Sequence, residues 1–227
     1  MQLIQIPAGD GFSLPALHVP TASGTGRPLV LIQEIFGIND AMEQAAQAWA
    51  LEGFEVLCPD LFARQQPGVR LDPRVPAQFQ QGIALMQGMD FERAVHDLDA
   101  ARQWFQAQGR GDKVGALGYC LGGRLAVMMA LSTPIAAAVS YYGVGLEDLL
   151  PAQRVDAAPC LLHIAELDGF VPPAARETIL ARAALQDRMP AHVYTGCDHA
   201  FARPGGEHFD AEAAALARTR TLAFLAA

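Results

Sequence analysis

Basic residues are scarce in this chain. Sixteen lysines and arginines face 24 aspartates and glutamates over 227 residues, a formal net charge of −8. No cationic excess is available to neutralise phosphates, which argues against nucleic acid and acidic membranes as partners. Long apolar runs are also missing: none approaches the roughly 20 residues of a membrane span. The opening "MQLIQIPAGDG" lacks the basic flank and apolar stretch of a secretory signal. A cytoplasmic protein acting on a small molecule is expected; a monomer is favoured, although no feature sets the oligomeric state. Cysteine is sparse. Cys58, Cys120, Cys160 and Cys197 form no CxxC pair and no zinc spacing, and a reducing compartment disfavours structural disulfides. Repeats, low-complexity tracts and linkers are absent, so one domain spanning 1–227 is the expectation.

What is present is alternation. Short apolar runs, "LIQIP", "LPALHVP", "PLVLIQE" and "FEVLCPDL", read as strands, and "NDAMEQAAQAWALEG" reads as a helix capped by Asn39 or Asp40 and ended by Gly53. Residues 62–89, with Pro67, Pro73 and Pro76, read as a partly helical excursion of the kind that lines pockets. From Asp90, the spacing of Phe91, Ala94, Val95, Leu98, Ala101 and Phe105 predicts a helix, with Glu92, Arg93, Asp97 and Arg102 on its other faces. Further strands are expected at "KVGALGY", "AAAVSYYG", "PCLLHIAEL" and "AHVYT". Helices are expected at "GGRLAVMMALS", near 173–187 and over roughly 210–225. The pattern implies an α/β fold: a mostly parallel, twisted sheet with helices on both faces and its site beyond the strands' carboxyl ends.

"GYCLGG", at 118–123, fits G-x-S-x-G with sulfur in place of oxygen, between an expected strand and an expected helix. A Cβ at Gly118 or Gly122 would crowd such a tight turn. The competing reading is a glycine-lined turn that merely packs a small, inert cysteine. Cys58 and Cys160 lie in apolar strands and read as packing residues, while Cys197 is more ambiguous. A thiol nucleophile needs a histidine to move protons and a carboxylate to orient it, in the α/β-hydrolase order of nucleophile, acid and base. His199 and His208 come late enough, and His199 directly follows "AHVYT"; His18, His96, His163 and His192 read as surface or packing residues. Asp168, at the turn after "LLHIAEL", is the preferred acid and Glu166 the fallback, with Asp60 and Asp198 also open.

With these residues assembled, the chain resembles the dienelactone hydrolase (carboxymethylenebutenolidase) family of α/β-hydrolases with a cysteine nucleophile. The resemblance rests on "QEIFGIN", "CPDLFARQ", "GYCLGG", "YYGVGLE", "LDGFVP" and "HAFAR", in that order along most of the length. It implies a triad of Cys120, Asp168 and His199, no metal or organic cofactor, and a lactone or ester substrate hydrolysed through a thioester. It also implies that Glu34 contacts the resting thiol and that Arg203 pairs with Glu34 and with a substrate carboxylate. The anion would keep the sulfur neutral until substrate arrives. The same fold logic points to the backbone N–H groups of Leu121 and Ile35 as the oxyanion hole. The chain departs from the family on the excursion after "CPDL": where members acting on dienelactone carry an arginine, a tyrosine and a tryptophan, Phe79, Ile83 and Met86 align. Either the substrate is more neutral or apolar, or Arg70 or Arg74 takes the missing cation's place. Phe36, Phe170, Tyr141 and Tyr142 are candidate pocket walls, core packing being the alternative for each. The rival functions are a general carboxylesterase or thioesterase and a small-molecule binding protein without turnover.

Overall fold

A computed structural model describes residues 1–21 and 26–226. The chain forms a mostly parallel, eight-stranded sheet with helices and divides into two compact units, Met1–Ala116 and Leu117–Ala227.

In the first unit the strand order is β1-β2-β4-β3. β1 (Gln2–Pro7) and β2 (Ser13–Val19) pair antiparallel, β2 pairs antiparallel with β4 (Phe54–Pro59), and β3 (Arg27–Ile32) runs parallel to β4. The two parallel members are the near-continuous apolar runs: every residue of β4 and all but the first of β3 are buried. That is the composition a strand needs when it is covered on both faces. α1 (Asp40–Leu51) starts at Asn39, whose side chain accepts the Met42 N–H at 3.2 Å, and it buries Met42, Ala46 and Trp49 along one stripe.

The excursion contains α2 (Pro76–Gln87), with proline in its first turn, where a missing N–H costs nothing. Ahead of α2 the chain is tied to the loop after β3: the Leu71 N–H donates to the Phe36 carbonyl at 2.9 Å, and Asn39 Nδ2 donates to the Leu71 carbonyl at 2.9 Å. α3 (Phe91–Gln106) buries Ala94, Val95, Leu98, Ala101 and Phe105. Its expected polar faces are only partly exposed. Asp97 is buried because Arg64 forks onto both its carboxylate oxygens at 2.7 and 2.8 Å, and Arg102 is buried against Asp99 and Gln106. Buried charge is tolerated when it is paired and hydrogen-bonded in this way.

β5 (Gly115–Tyr119) carries the chain across the boundary. In the second unit β6 (Ala137–Tyr141), β7 (Cys160–Ala165) and β8 (Ala191–Tyr194) are neighbours in that order, all parallel. Between them run α4 (Leu121–Ser132), α5 (Leu146–Leu149) and α6 (Pro173–Ala183), and the chain closes with α7 (Ala211–Ala226). α5 is a single turn that the sequence pattern does not announce, and α6 stops short of the expected 187. Among the described residues, no helix is long and apolar enough to cross a membrane.

Candidate active site

The turn from β5 into α4 places a non-glycine residue at positive φ. Cys120 holds φ 56° and ψ −115°, a conformation that costs a residue with a Cβ about 1–3 kcal/mol and persists only where the surroundings enforce it. The enforcement is local. A Cβ at Gly118 would lie 1.9 Å from the Gly122 carbonyl oxygen, and one at Gly123 would lie 2.8 Å from Ser140 Oγ, so bare backbones pack where side chains cannot. The Cys120 N–H donates to the Tyr141 carbonyl at 3.0 Å, and the Cys120 carbonyl accepts from Arg124 N–H at 3.2 Å as α4 begins. Leu121, the first residue of α4, has an N–H in the opening turn, where no intrahelical acceptor exists.

His199 lies in the loop after β8 and Asp168 in the loop after β7. His199 Nδ1 is 2.7 Å from Asp168 Oδ2, while Asp168 Oδ1 accepts the Phe170 N–H at 2.9 Å, so both carboxylate oxygens are engaged. Cys120 is the other group that acts on the imidazole. Burial disfavours the imidazolium, but the charge at Cys120, the hydrogen bonds to Asp168 and Cys120 and the charge of Asp168 together outweigh it. They raise His199 from 6.5 to about 10. Two rings hold the imidazole edge to face: Tyr142 at 5.1 Å and Phe170 at 4.8 Å between centroids. Phe170 is 53% exposed, so one wall beside His199 is open to solvent and to a ligand.

The structure brings Cys120, Asp168 and His199 together and separates the alternatives. Glu166 turns its carboxylate to Gly196 N–H at 2.8 Å, Asp60 accepts the backbone N–H groups of Phe62 and Gly68, and Asp198 accepts the N–H of His199 itself. His208 lies 3.8 Å from Asp198, His163 is interior, His96 is exposed, and His18 pairs with Glu55 at 2.8 Å. All four cysteines are free and buried. Desolvation pushes the Cys58 thiol far up and that of Cys160 up to about 12, as befits packing residues. It also raises Cys197.

In the first unit, Glu34, Ile35 and Phe36 follow the carboxyl end of β3, all buried. Phe79 and Ile83 are half-buried, and the Phe79 ring sits 5.8 Å from that of Phe36. Met86 is half-buried as well. Both arginines offered as substitute cations are paired with carboxylates. Arg70 is committed to Asp40, to Glu43 and to the Ile38 carbonyl, and Arg74 to Asp72. Arg203, in the second unit, is half-buried in the turn after His199, its N–H donating to the Ala200 carbonyl at 3.0 Å.

Both candidate tyrosines are 2% exposed. The Tyr142 ring lies against His199, the Tyr141 hydroxyl lies 2.7 Å from Thr221 Oγ1 in α7, and the two tyrosine rings are 6.2 Å apart.

Comparison with known proteins shows the family. The sequence model of the dienelactone hydrolase family matches residues 15–227. A protein of Azospirillum brasilense, provisionally named carboxymethylenebutenolidase, is 45% identical over 97% of this chain and 96% of its own length. The carboxymethylenebutenolidase of Pseudomonas putida is 39% identical over 98% and 95%. A crystal structure from Klebsiella pneumoniae, provisionally named dienelactone hydrolase, matches with a TM-score of 0.83 at 26% identity, covering 99% of this chain and 97% of that one.

Proposed function

Because the chain belongs to the dienelactone hydrolase family, with the match running over residues 15–227, we propose that it opens a lactone or enol ester through a thioester on Cys120. It is a hydrolase of the carboxylic-ester class. The observation that carries the finer reading is His199 clasped between Asp168 and Cys120.

In the first half-reaction the Cys120 sulfur, as thiolate, attacks the carbonyl carbon. Negative charge develops on the carbonyl oxygen, which the N–H groups of Leu121 and Ile35 receive; one such donor is worth about 3 kcal/mol in the transition state. As the tetrahedral adduct collapses, the carbon–oxygen bond breaks and the leaving oxygen takes the His199 proton. In a lactone that oxygen stays tethered to the acyl group. In the second half-reaction His199 removes a proton from water. The hydroxide adds to the thioester carbon, the carbon–sulfur bond breaks, and carboxylic acid, thiolate and imidazolium are regenerated. Asp168 fixes the Nδ1–H tautomer throughout. No step calls for a metal or an organic cofactor. Glu34 and Arg203 take the parts the family resemblance implies: Arg203 receives a substrate carboxylate, and Glu34 governs when the sulfur loses its proton.

The match across both compact units supports reading them as one α/β-hydrolase domain. The test is a burst of p-nitrophenol from p-nitrophenyl acetate, with the acyl adduct located by mass spectrometry. An adduct on Cys120, lost in Cys120→Ala, is expected. Turnover that survives this substitution removes the mechanism, and neither burst nor turnover in the wild type makes the chain a binding protein.

A second reading has its own observation. Phe79, Ile83 and Met86 recur at helical spacing on α2, all half-buried, and Arg70 and Arg74, which precede α2, pair with carboxylates. An apolar α2 stripe favours a neutral acyl group, and hence a carboxylesterase or thioesterase range. Ranking anionic dienelactones against neutral lactones and short esters by kcat/KM separates the two.

A further inference from the structure

Behind the elbow lies a buried polar chain that the proposed chemistry does not use. Tyr141 and His163 are register partners on β6 and β7, as are His163 and His192 on β7 and β8, and Tyr194 lies two residues further along β8. The period of two turns these side chains to one face of the sheet. There Thr221 of α7 meets them: His163 Nδ1 lies 2.8 Å from Tyr194 Oη, His163 Nε2 lies 2.9 Å from Thr221 Oγ1, and Thr221 Oγ1 lies 2.7 Å from Tyr141 Oη. Tyr141, His163, Tyr194 and Thr221 are each at most 4% exposed. Polar groups so deep are costly unless every donor meets an acceptor.

Arg220 stands over the Tyr194 ring at 5.4 Å. The neutral imidazole of His163 carries one hydrogen, so one ring nitrogen donates and the other accepts along the chain. Burial keeps His163 uncharged, its pKa lowered to about 3 by desolvation first and by His192 and Arg220 second.

Both ends of this chain reach the elbow and the base. The backbone carbonyl of Tyr141 is the acceptor for Cys120 N–H at 3.0 Å, the bond that helps hold residue 120 at positive φ. The next residue, Tyr142, is also at positive φ (40°), with its N–H on the His163 carbonyl at 2.8 Å and its ring against His199. At the other end, Tyr194 stacks on Phe201 at 4.7 Å, two residues beyond His199, and Phe201 packs on Tyr142 at 5.6 Å.

We propose that Thr221, through its hydrogen bonds to Tyr141 and His163, is a positioning residue for the Cys120–His199 pair: α7 pins the β6 and β7 ends whose carbonyls set the elbow. The inference rests on Cys120 being the nucleophile. Its physical basis is that a strained backbone stays strained only while its neighbours are fixed, and Thr221 fixes both of them from outside the site.

The test compares Thr221→Val, which keeps shape and removes both hydrogen bonds, with Thr221→Ser, which restores a hydroxyl, and with Tyr141→Phe, which deletes only the Tyr141 end. Pre-steady-state acylation by p-nitrophenyl acetate, steady-state kcat and KM, melting temperature and the ¹⁵N signals of His163 are read for each. The expected result is an acylation rate about tenfold lower in Thr221→Val and Tyr141→Phe, KM within about twofold of wild type, and recovery in Thr221→Ser. The wild type should show one neutral His163 tautomer in its ¹⁵N signals, and Thr221→Val should shift or broaden them. Unchanged acylation in a variant with a lowered melting temperature would show Thr221 to be merely structural and overturn the proposal. So would a serine variant as slow as the valine. If Thr221→Val does not fold, Tyr141→Phe decides alone, with unchanged acylation the refuting outcome. Absence of any Cys120 adduct in the wild type refutes the nucleophile itself, a result distinct from a normal wild type with unaffected variants.

Discussion

Replacing Cys120 with serine should change the proton affinity of a residue 79 positions away in sequence. The substitution keeps a hydrogen-bonding side chain at the elbow and removes the acidic sulfur, so His199 loses the charge and hydrogen bond it owes to residue 120 and keeps those owed to Asp168. Raising His199 from 6.5 to about 10 corresponds to roughly 5 kcal/mol in favour of the imidazolium, at about 1.4 kcal/mol per pH unit. A unit charge about 4 Å away at an effective dielectric of about 20 supplies about 4 kcal/mol. Most of the elevation should therefore depart with the sulfur, leaving His199 in Cys120→Ser within about two pH units of its ordinary value. Where the sulfur is charged, the imidazolium is held through neutral pH and is lost as pH rises through about 10. Histidine ¹⁵N spectra across neutral and alkaline pH read this directly, with His199 assigned by its absence from His199→Gln. A serine variant whose His199 still titrates near 10 would mean that Asp168 alone governs the base and that the sulfur–imidazole pairing is not the source of the perturbation.

Three further outcomes follow from particular contacts. Asp168→Asn removes the charge that orients His199 but keeps an acceptor for Phe170 N–H, so acylation should fall about 10²–10⁴-fold with KM little changed, as measured by stopped-flow with p-nitrophenyl acetate. Neutral His163, lowered from 6.5 to about 3 mainly by desolvation, favours folding fully above pH 6.5. As pH drops toward 3 the unfolded chain binds the proton first, so urea unfolding should show a stability slope steeper by about 1.4 kcal/mol per pH unit than in His163→Gln, and equal slopes would contradict it. Phe79→Arg supplies a cation on α2, and the ratio of kcat/KM for an anionic dienelactone over a neutral lactone should rise about tenfold, a gain of about 1.4 kcal/mol; an unchanged ratio would take residue 79 out of substrate recognition.

How far the sequence could be read depended on the range of the forces involved. The elbow was legible because its requirement is local: Gly118 must lack a Cβ that would sit 1.9 Å from the Gly122 carbonyl, and that demand is written within six residues. Strands β3, β4 and β7 were legible for a similar reason, since burial on both faces demands unbroken apolar runs. The choice between Asp168 and Glu166 was not. Both stand beyond the end of β7, and only the folded loop shows Glu166 spent on Gly196 N–H. Asp97 and Arg102 look like solvated helix residues by spacing, yet they are buried, because the partner that neutralises Asp97, Arg64, lies 33 positions earlier. Arg70 and Arg74 were legible only as spare cations. Their carboxylate partners, Asp40 and Glu43 for the one and Asp72 for the other, become apparent once the excursion is folded. The Tyr141–Thr221–His163 chain joins residues up to 80 positions apart, and no pattern in one segment encodes it.

The four cysteines are all free and buried, and they differ in placement. Cys58 and Cys160 sit inside strands β4 and β7 with no cation beside them, and desolvation opposes the thiolate in both. Cys58 has in addition the unfavourable charge of Asp60 just beyond the strand end. Cys197, though only two residues from His199, is pushed the same way by burial and by Asp210 and Glu166. Cys120 is also buried, but its surroundings differ in kind: it stands at the N-terminus of α4, outside any strand, and it is one of the groups that raise the proton affinity of His199, which Asp168 holds at 2.7 Å. On the proposed mechanism the strained turn is tied to reactivity by position: it takes the sulfur out of the strand interior, where burial opposes the thiolate of its two counterparts, and sets it at a helix end.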